Sequence, residues 1–449
     1  MDALTIGIVF TFIFLVLMLL GVHIAVSFLV VGFIGTTLII GFQSSLSLLG
    51  QTLYYSIASP SFNALLLFVL MGAFAARGGF AEKAYSGLNT FTVGIPGSLA
   101  IATCFGCAAF GAVSGSSMAT TVIFGKLALP EMEKYKYNKG LALGCIAASG
   151  TFACMIPPSS VMIVYCIFTE QSVGKLFMAG IIPGIITAIV YSISIYIRVK
   201  KNPDLAPGVT EKYLEMRKLA QLSHNNLFKF KLKALISMWP IFLLALIILG
   251  GIYGGIFSIV EASAVGAFVT LVLGIFHKKI KNIKIIKESL RESAQTIAMV
   301  FIIIIGALFF TRFLAISRVP TSISQIILAS NIPRFYVFLI VLITWFILGM
   351  LIVPTGIFAL TLPIVFPILT NLGYDPIWLG VIALKLVEIG AVTPPVGLNV
   401  FALKGIVGES ATLEDIFKGI WPFVICDIVV LIFLILFPQI ALFLPNLMF

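Results

Sequence analysis

The sequence predicts an all-α polytopic membrane protein folded as two inverted repeats, each with a re-entrant helical hairpin and a broken transmembrane helix. Three observations predict it. Of 449 residues, 60% are apolar and 10% charged, with a mean hydropathy of +1.17; soluble domains carry about 25% charged residues. Two apolar tracts, 94–129 and 335–369, are too long for one span and too short for two. Two full spans need about 40 residues plus a turn. Finally, the halves match at a spacing of 237 residues: Pro130 with Pro367, Tyr137 with Tyr374, Pro157-Pro158 with Pro394-Pro395.

This composition excludes a disordered chain and a disulfide-stapled secreted domain. An outer-membrane barrel is excluded too, since its strands alternate apolar and polar residues. The net charge of +11 does not point to nucleic acid. Residues 1–76 contain no Lys or Arg, while nine of the 28 basic residues fall in 198–235 and six in 278–291. Such clusters between apolar segments mark cytoplasmic loops. All six Cys sit in apolar stretches, and Cys104-x-x-Cys107 lies in a membrane hairpin rather than a redox βαβ unit. The three His are too scattered for a metal site. The N-terminus has Asp2 and no basic region, so it reads as a first span and not as a cleaved signal.

The first repeat, 1–197, opens with spans near 4–22, 24–42 and 60–77. Segment 80–92 is less apolar and reads as an interfacial arm. Hairpin 94–129 is interrupted by Gly111-Ala-Val-Ser-Gly-Ser-Ser117, and two half-helices with a polar tip account for its length. Helix 139–168 is broken at Ile156-Pro-Pro-Ser-Ser160. A proline pair removes two N–H donors and frees carbonyls, which in lipid must find protein, water or an ion. A span at 177–197 completes the repeat.

The basic loop 198–235 follows. The second repeat, 236–449, has spans at 236–254, 257–276 and 293–311, then an arm at 313–331. Hairpin 335–369 is interrupted at Val353-Pro354-Thr355-Gly356. Helix 376–403 is broken at Thr393-Pro-Pro-Val-Gly-Leu-Asn399, and the last span is 419–444. With hairpins adding no net crossing, residues 1–197 cross five times, which makes the repeat inverted and the N-terminus periplasmic. This topology places 23 Lys/Arg inside and four outside. Two full spans per tract also satisfy the charge rule; tract length alone disfavours them.

Inverted repeats with broken helices place substrate and coupling ions near the midplane of secondary transporters. Four sites combine hydroxyls, Gly and freed carbonyls without a carboxylate: Ser114-Gly115-Ser116-Ser117, Pro157-Pro158-Ser159-Ser160, Pro354-Thr355-Gly356 and Thr393 to Asn399. Such oxygens suit a hard cation. Half-helix N-termini suit an anion. The bland alternative is small-residue packing with proline kinks, but symmetric placement of four motifs favours ion plus anion.

The charges inside spans are Glu261, Lys385, Glu388 and Asp427. Glu261 is placed one turn inside its span. Lys385 and Glu388, at i and i+3, are expected to pair. The other reading has Glu388, five residues before Thr393, reach the ion site or take a proton. No His-Glu-x-x-His, Asp pair or Gly-x-Ser-x-Gly elbow supports an intramembrane enzyme. No charged ring or filter repeat supports a channel.

Gly111 to Ser117, Ile156 to Ser160, Leu176-Phe-Met-Ala-Gly-Ile-Ile-Pro-Gly184, Leu372-Gly-Tyr-Asp-Pro376 and Glu388-Ile-Gly-Ala-Val-Thr-Pro-Pro-Val-Gly-Leu-Asn399 together resemble the large membrane subunit of tripartite ATP-independent periplasmic (TRAP) transporters. The resemblance covers nearly the whole chain. It implies an elevator-type secondary transporter in the bacterial inner membrane that imports an organic anion with sodium and needs no other cofactor. Family substrates include C4-dicarboxylates, sialic acid and related carboxylates or sulfonates. The implied partners are a periplasmic substrate-binding protein, a small four-helix membrane subunit and the phospholipid membrane.

Carried over by motif, sodium is expected at Ser114, Gly115, Ser116 and Ser117 with Pro157 and Ser159. A second sodium is expected at Thr355 and Gly356 with Thr393, Pro394, Gly397 and Asn399. Ser116, Ser117, Ser160, Thr355 and Asn399 are expected to meet the substrate. The chain departs from the family at Val353-Pro354, where many relatives carry an acidic residue. The alternative function is a stand-alone carboxylate transporter, coupled to sodium or protons without a binding protein.

Overall fold

The structure, a computed structural model, describes residues 2–208, 211, 213–215, 218, 227–329 and 332–448. Every regular element among them is helical. Most of the basic loop expected at 198–235 lies outside the described residues.

Helices α1 (Ala3–Leu19) and α2 (Ile24–Ile40) are apolar on all sides, as helices between protein and lipid must be. Helix α3 (Phe42–Ile57) carries Gln43, Ser44, Ser47 and Gln51, and this polar face hides it from hydropathy. Helix α4 (Pro60–Arg77) starts with proline, whose missing N–H costs nothing there. Helix α5 (Phe80–Phe91) is the expected first arm, and buries Phe80, Ala81, Ala84 and Tyr85 on one face.

The first hairpin is α6 (Ser98–Ser114) and α7 (Ser117–Lys134). It spans 98–134 rather than 94–129. Gly94 and Gly97, both at positive φ, turn the chain before α6. The polar segment to Lys134 stays helical, because hydropathy marks the end of an apolar run and not of a helix. The broken helix is α8 (Lys139–Ser149), α9 (Phe152–Met155) and α10 (Ser160–Thr169), with a 45° bend. Helix α11 (Val173–Lys201) follows.

The span expected at 236–254 is a bent pair, α12 (Leu227–Ile236) and α13 (Trp239–Tyr253), at 47°. Helix α13 contains a π turn at Leu246–Gly250. Helix α14 (Ile259–Phe276) opens with a Ser258–Glu261 capping box, so Glu261 is an exposed cap rather than a charge inside the span. Helix α15 (Ile283–Ser317) takes in much of the 278–291 basic segment, since Lys284, Lys287, Glu288 and Arg291 are good helix formers.

The second arm is α16 (Val319–Ala329), beginning six residues later than expected because α15 runs on to Ser317. The second hairpin is α17 (Arg334–Gly349) and α18 (Pro354–Asn371). Helices α19 (Pro376–Gly390) and α20 (Leu398–Val407) flank the second break. The expected last span is two helices, α21 (Leu413–Leu436) and α22 (Gln439–Met448), parted near Pro438. Among the described residues, six helices are long and apolar enough to cross a membrane, and up to eight if each bent pair is one span.

Helix α4 packs along α14 and α2 along α15; α10 packs on α18 and α7 on α20. Moved on by 237 residues, 117–134 becomes 354–371, the bounds of α18. The same step carries α2 and α10 onto α14 and α20 within a few residues, and α4 onto 297–314, the C-terminal part of α15. Each packed pair therefore maps onto the other with partners exchanged.

Helices α8 and α21 approach through glycine. A Cβ at Gly144 would overlap the Gly419 carbonyl, and one at Gly419 would overlap the Gly140 carbonyl. This Gly140-x-x-x-Gly144 face is the small-residue contact that lets backbones meet in lipid. Outward, Phe12, Val30, Leu38, Phe268, Phe276, Ile425 and Leu436 are exposed, as a lipid-facing surface requires.

Candidate functional site

The first hairpin tip and the first break meet. Helix α6 ends on Gly115 at φ 61°, a left-handed cap that glycine adopts freely. A Cβ there would stand 2.9 Å from the Pro158 carbonyl oxygen. Ser116 caps α7 by accepting the Ala119 N–H, and Ser159 caps α10 by accepting the Met162 N–H. Across the junction, Ser160 Oγ donates to the Gly115 carbonyl at 3.1 Å. Ser114 and Thr120 hydroxyls are 2.9 Å apart. Two half-helix N-termini and several hydroxyl and carbonyl oxygens thus converge on one spot, and all but the Thr120 hydroxyl come from residues the sequence singled out.

A cleft of about 150 Å³ opens beside this tip, lined by Gly72, Ser114, Gly115, Ser116, Ser160, Glu292 and Thr296 among others. Gly72 permits the approach, because a Cβ there would lie 2.5 Å from the Ser114 carbonyl oxygen. At its edge Arg77 Nη1 contacts Glu292 Oε2 at 2.6 Å, with 30% and 58% of the two side chains exposed. No sequence signal marks this pair, since its members lie 215 residues apart.

The second hairpin meets its break differently. The Gly397 N–H donates to the Met350 carbonyl at 3.3 Å, and the Asn399 N–H to Ala391 at 3.0 Å. Thr393 Oγ1 donates to Ile389 O at 2.7 Å. Gly349 and Gly390 touch backbone to backbone. Among the described residues, no hydrogen bond joins Thr355 or Gly356 to 393–399, and Gly356 faces Ile352 and Ile24. Met350 supplies the contact expected of Thr355. Helices α18 and α20 have no side-chain caps; the carbonyls of Val353, Ala391 and Gly397 take the Gly356, Asn399 and Val400 N–H groups instead. Asn399 is buried, and its Nδ2 has no hydrogen-bond partner among the described residues. Breaks 157–158 and 394–395 both carry a cis proline peptide.

The expected Lys385–Glu388 pair does not form. Lys385 Nζ instead meets Asp427 Oδ1 at 2.5 Å and Thr187 Oγ1 at 3.2 Å. Tyr191 Oη donates to Asp427 Oδ2 at 2.6 Å. One turn of α19 separates Lys385 from Glu388, but α11 and α21 bring oxygen partners to Lys385 first. Glu388 turns toward the first hairpin, where Ser117 Oγ donates to its Oε1 at 3.5 Å. An acid of the second break thus sits at the first site, a placement no linear spacing encodes.

The oxygen-rich set at 114–117 and 157–160 fits a hard cation, which needs no thiolate or imidazole. Among the described residues no cluster of three His, Cys, Asp or Glu is poised for a transition metal.

Comparison with known proteins follows the same lines. Residues 11–440 match the family described as "Tripartite ATP-independent periplasmic transporter, DctM component". The chain is 35% identical over 385 residues to the "C4-dicarboxylate TRAP transporter large permease protein DctM" of Pseudomonas aeruginosa, covering 85% of this chain and 86% of that one. It is 29% identical over 435 residues to the "Ectoine/5-hydroxyectoine TRAP transporter large permease protein UehC" of Ruegeria pomeroyi, covering 97% of each. Among solved structures it resembles the Alcanivorax borkumensis YdaH transporter with a TM-score of 0.57 at 12% identity, over 89% of this chain and 90% of that one. That likeness concerns the fold.

Proposed function

This chain belongs to the family of DctM components of tripartite ATP-independent periplasmic transporters, and we propose that it drives sodium-coupled uptake of an organic anion. It is a multi-pass large permease, a transport subunit rather than an enzyme. The observation that carries the reading is the Ser160–Gly115 hydrogen bond, which ties hairpin tip to broken helix at two converging N-termini.

In this reading one sodium lies among Ser114–Ser117, Pro157 and Ser159, and a second near the other break, at Thr355, Gly356, Thr393, Pro394, Gly397 and Asn399. The first set is supported by its oxygens, the second by the buried Asn399 side-chain amide, which has no partner among the described residues. The anion sits where Ser116, Ser117 and Ser160 meet Thr355 and Asn399 as the two hairpins move. A carboxylate-bearing solute is favoured by the relative named for C4-dicarboxylates. The exchanged packing of α2, α4, α14 and α15 supports an inverted repeat with these helices as scaffold. The hairpins and broken helices form the moving core of an elevator.

The transporter sits in the inner membrane with its N-terminus periplasmic. A periplasmic binding protein delivers the solute, and a small membrane subunit completes the scaffold.

The test is uptake of radiolabelled succinate into proteoliposomes holding this chain, the small subunit and the binding protein. Uptake is expected only with an inward sodium gradient and all three parts. Sodium-driven uptake by this chain alone overturns the three-part version; uptake driven equally by a proton gradient in choline overturns sodium coupling.

A further inference from the structure

Glu388 is 2% exposed, and its Oε2 has no hydrogen-bond partner among the described residues. An ionised carboxylate so placed needs a counter-charge, because burial without one is costly. The groups that face it come from four elements. Ser117 of α7 donates to Oε1, and the Cys154 thiol of α9 lies beside it. Lys385, one turn back on α19, is held by Asp427 of α21, which adds a second negative charge nearby. No described residue forms a salt bridge with Glu388.

A second orphan lies in the same junction. Thr121 is fully buried and its Oγ1 has no hydrogen-bond partner among the described residues. It stands one turn along α7 from Ser117, on the same face. Both border Gly150 at the α8–α9 break: a Cβ there would overlap Thr121 Oγ1 and lie 3.1 Å from the Ser117 carbonyl oxygen. The Glu388 carboxylate, with one negative charge, and the Ser117 hydroxyl thus meet beside the Cys154 thiol, with the Thr121 hydroxyl one turn further along α7.

We propose that Glu388, with the Ser117 and Thr121 hydroxyls, binds a monovalent cation at the junction of α7, the α8–α9 break and α19. Its single charge matches a monovalent ion, and oxygen ligands suit sodium over softer metals. The inference rests on the sodium coupling proposed above. It adds a formal negative charge, contributed from the second half of the chain, to a first-half tip otherwise built of neutral oxygens. A cation there bridges the two halves, and its loss frees α19 from α7.

The test is thermal unfolding of the purified full-length chain in nanodiscs, in NaCl against choline chloride at equal ionic strength. A ligand that binds the native state raises Tm with the logarithm of its concentration, and the slope counts the ions bound. Glu388→Gln and Thr121→Val are each expected to lower the wild-type sodium slope by one ion. Glu388→Asp is expected to keep the slope and shift its midpoint to higher sodium. Asn399→Ala, at the other break, should leave the Glu388-dependent part intact. A wild-type slope that Glu388→Gln does not change overturns this site and leaves sodium coupling standing. A wild type with no sodium slope overturns both. Stabilisation by acid in choline that Glu388→Gln removes would show a proton on the carboxylate and also overturn the proposal. If Glu388→Gln does not fold, Thr121→Val and Glu388→Asp decide the outcome by the same slopes.

Discussion

Lys385 and Asp427 form an ion pair of 2.5 Å with both side chains at most 3% exposed, and Tyr191 satisfies the other Asp427 oxygen. The pair joins α19 to α21, while Thr187 joins it to α11. Removing one partner of a buried pair strands the other charge, at about 3–5 kcal/mol, whereas apolar replacement of both is often nearly neutral. Lys385→Met and Asp427→Leu are each expected to lower the unfolding temperature strongly, and the double variant to recover most of the loss. Thermal scans of the four proteins measure this, and additive losses would show that the two charges do not interact.

Ser160→Ala removes the Oγ donor to the Gly115 carbonyl. A hydrogen bond of this kind contributes about 0.5–1.5 kcal/mol. The fold should survive while uptake falls and half-saturation moves to higher sodium. Unchanged sodium dependence in an uptake assay would remove this bond from the coupling machinery.

Gly115→Ala meets two obstacles at once. Its φ of 61° disfavours an L side chain by about 1–2 kcal/mol, and the new methyl would lie 2.9 Å from the Pro158 oxygen. The variant is expected to be less stable than Ser160→Ala and inactive. Wild-type uptake from Gly115→Ala would show that the tip rearranges without cost.

Gly144→Leu places a side chain into the Gly419 backbone. Overpacking typically costs about 1–3 kcal/mol, and more where only backbone can yield. The expected result is loss of folded protein on size-exclusion chromatography, with Gly144→Ala milder. Normal yield from Gly144→Leu would contradict the close α8–α21 approach.

The Arg77–Glu292 contact should matter little for stability. Partly exposed pairs contribute about 0–1 kcal/mol and are screened by salt. Arg77→Gln is expected to leave Tm within a degree or two at 0.5 M salt. Any loss of uptake in this variant then reports on the cleft and not on folding.

The sequence makes legible what depends on composition and on local backbone chemistry. Proline pairs and Gly-Ser tips announced the breaks at 157–158 and 394–395 and the turn at 115–116, because missing donors and left-handed residues act where they stand. Contacts between distant segments were not legible. Lys385 chose Asp427 over the nearer Glu388, and Glu388 crossed to Ser117, because helix packing decides which side chains meet. Hydropathy missed α3, whose polar face dilutes its apolar one, and the first turns of α15, whose lysines stay helical beyond the lipid.

The 35 residues of α15 serve as a depth gauge. At about 1.5 Å per residue the helix is roughly 50 Å long, against about 30 Å of hydrocarbon. Its run free of charged residues, 293–311, is about as long as that thickness, so the charged turns before Ser293 stand beyond it. Glu292, which lines the cleft with Ser116 and Ser160, is therefore at the end of the span and not at its centre. The cleft beside the first hairpin tip thus opens toward one end of that span, and a water-soluble thiol reagent added from that side is expected to label Glu292→Cys, whose native side chain is 58% exposed.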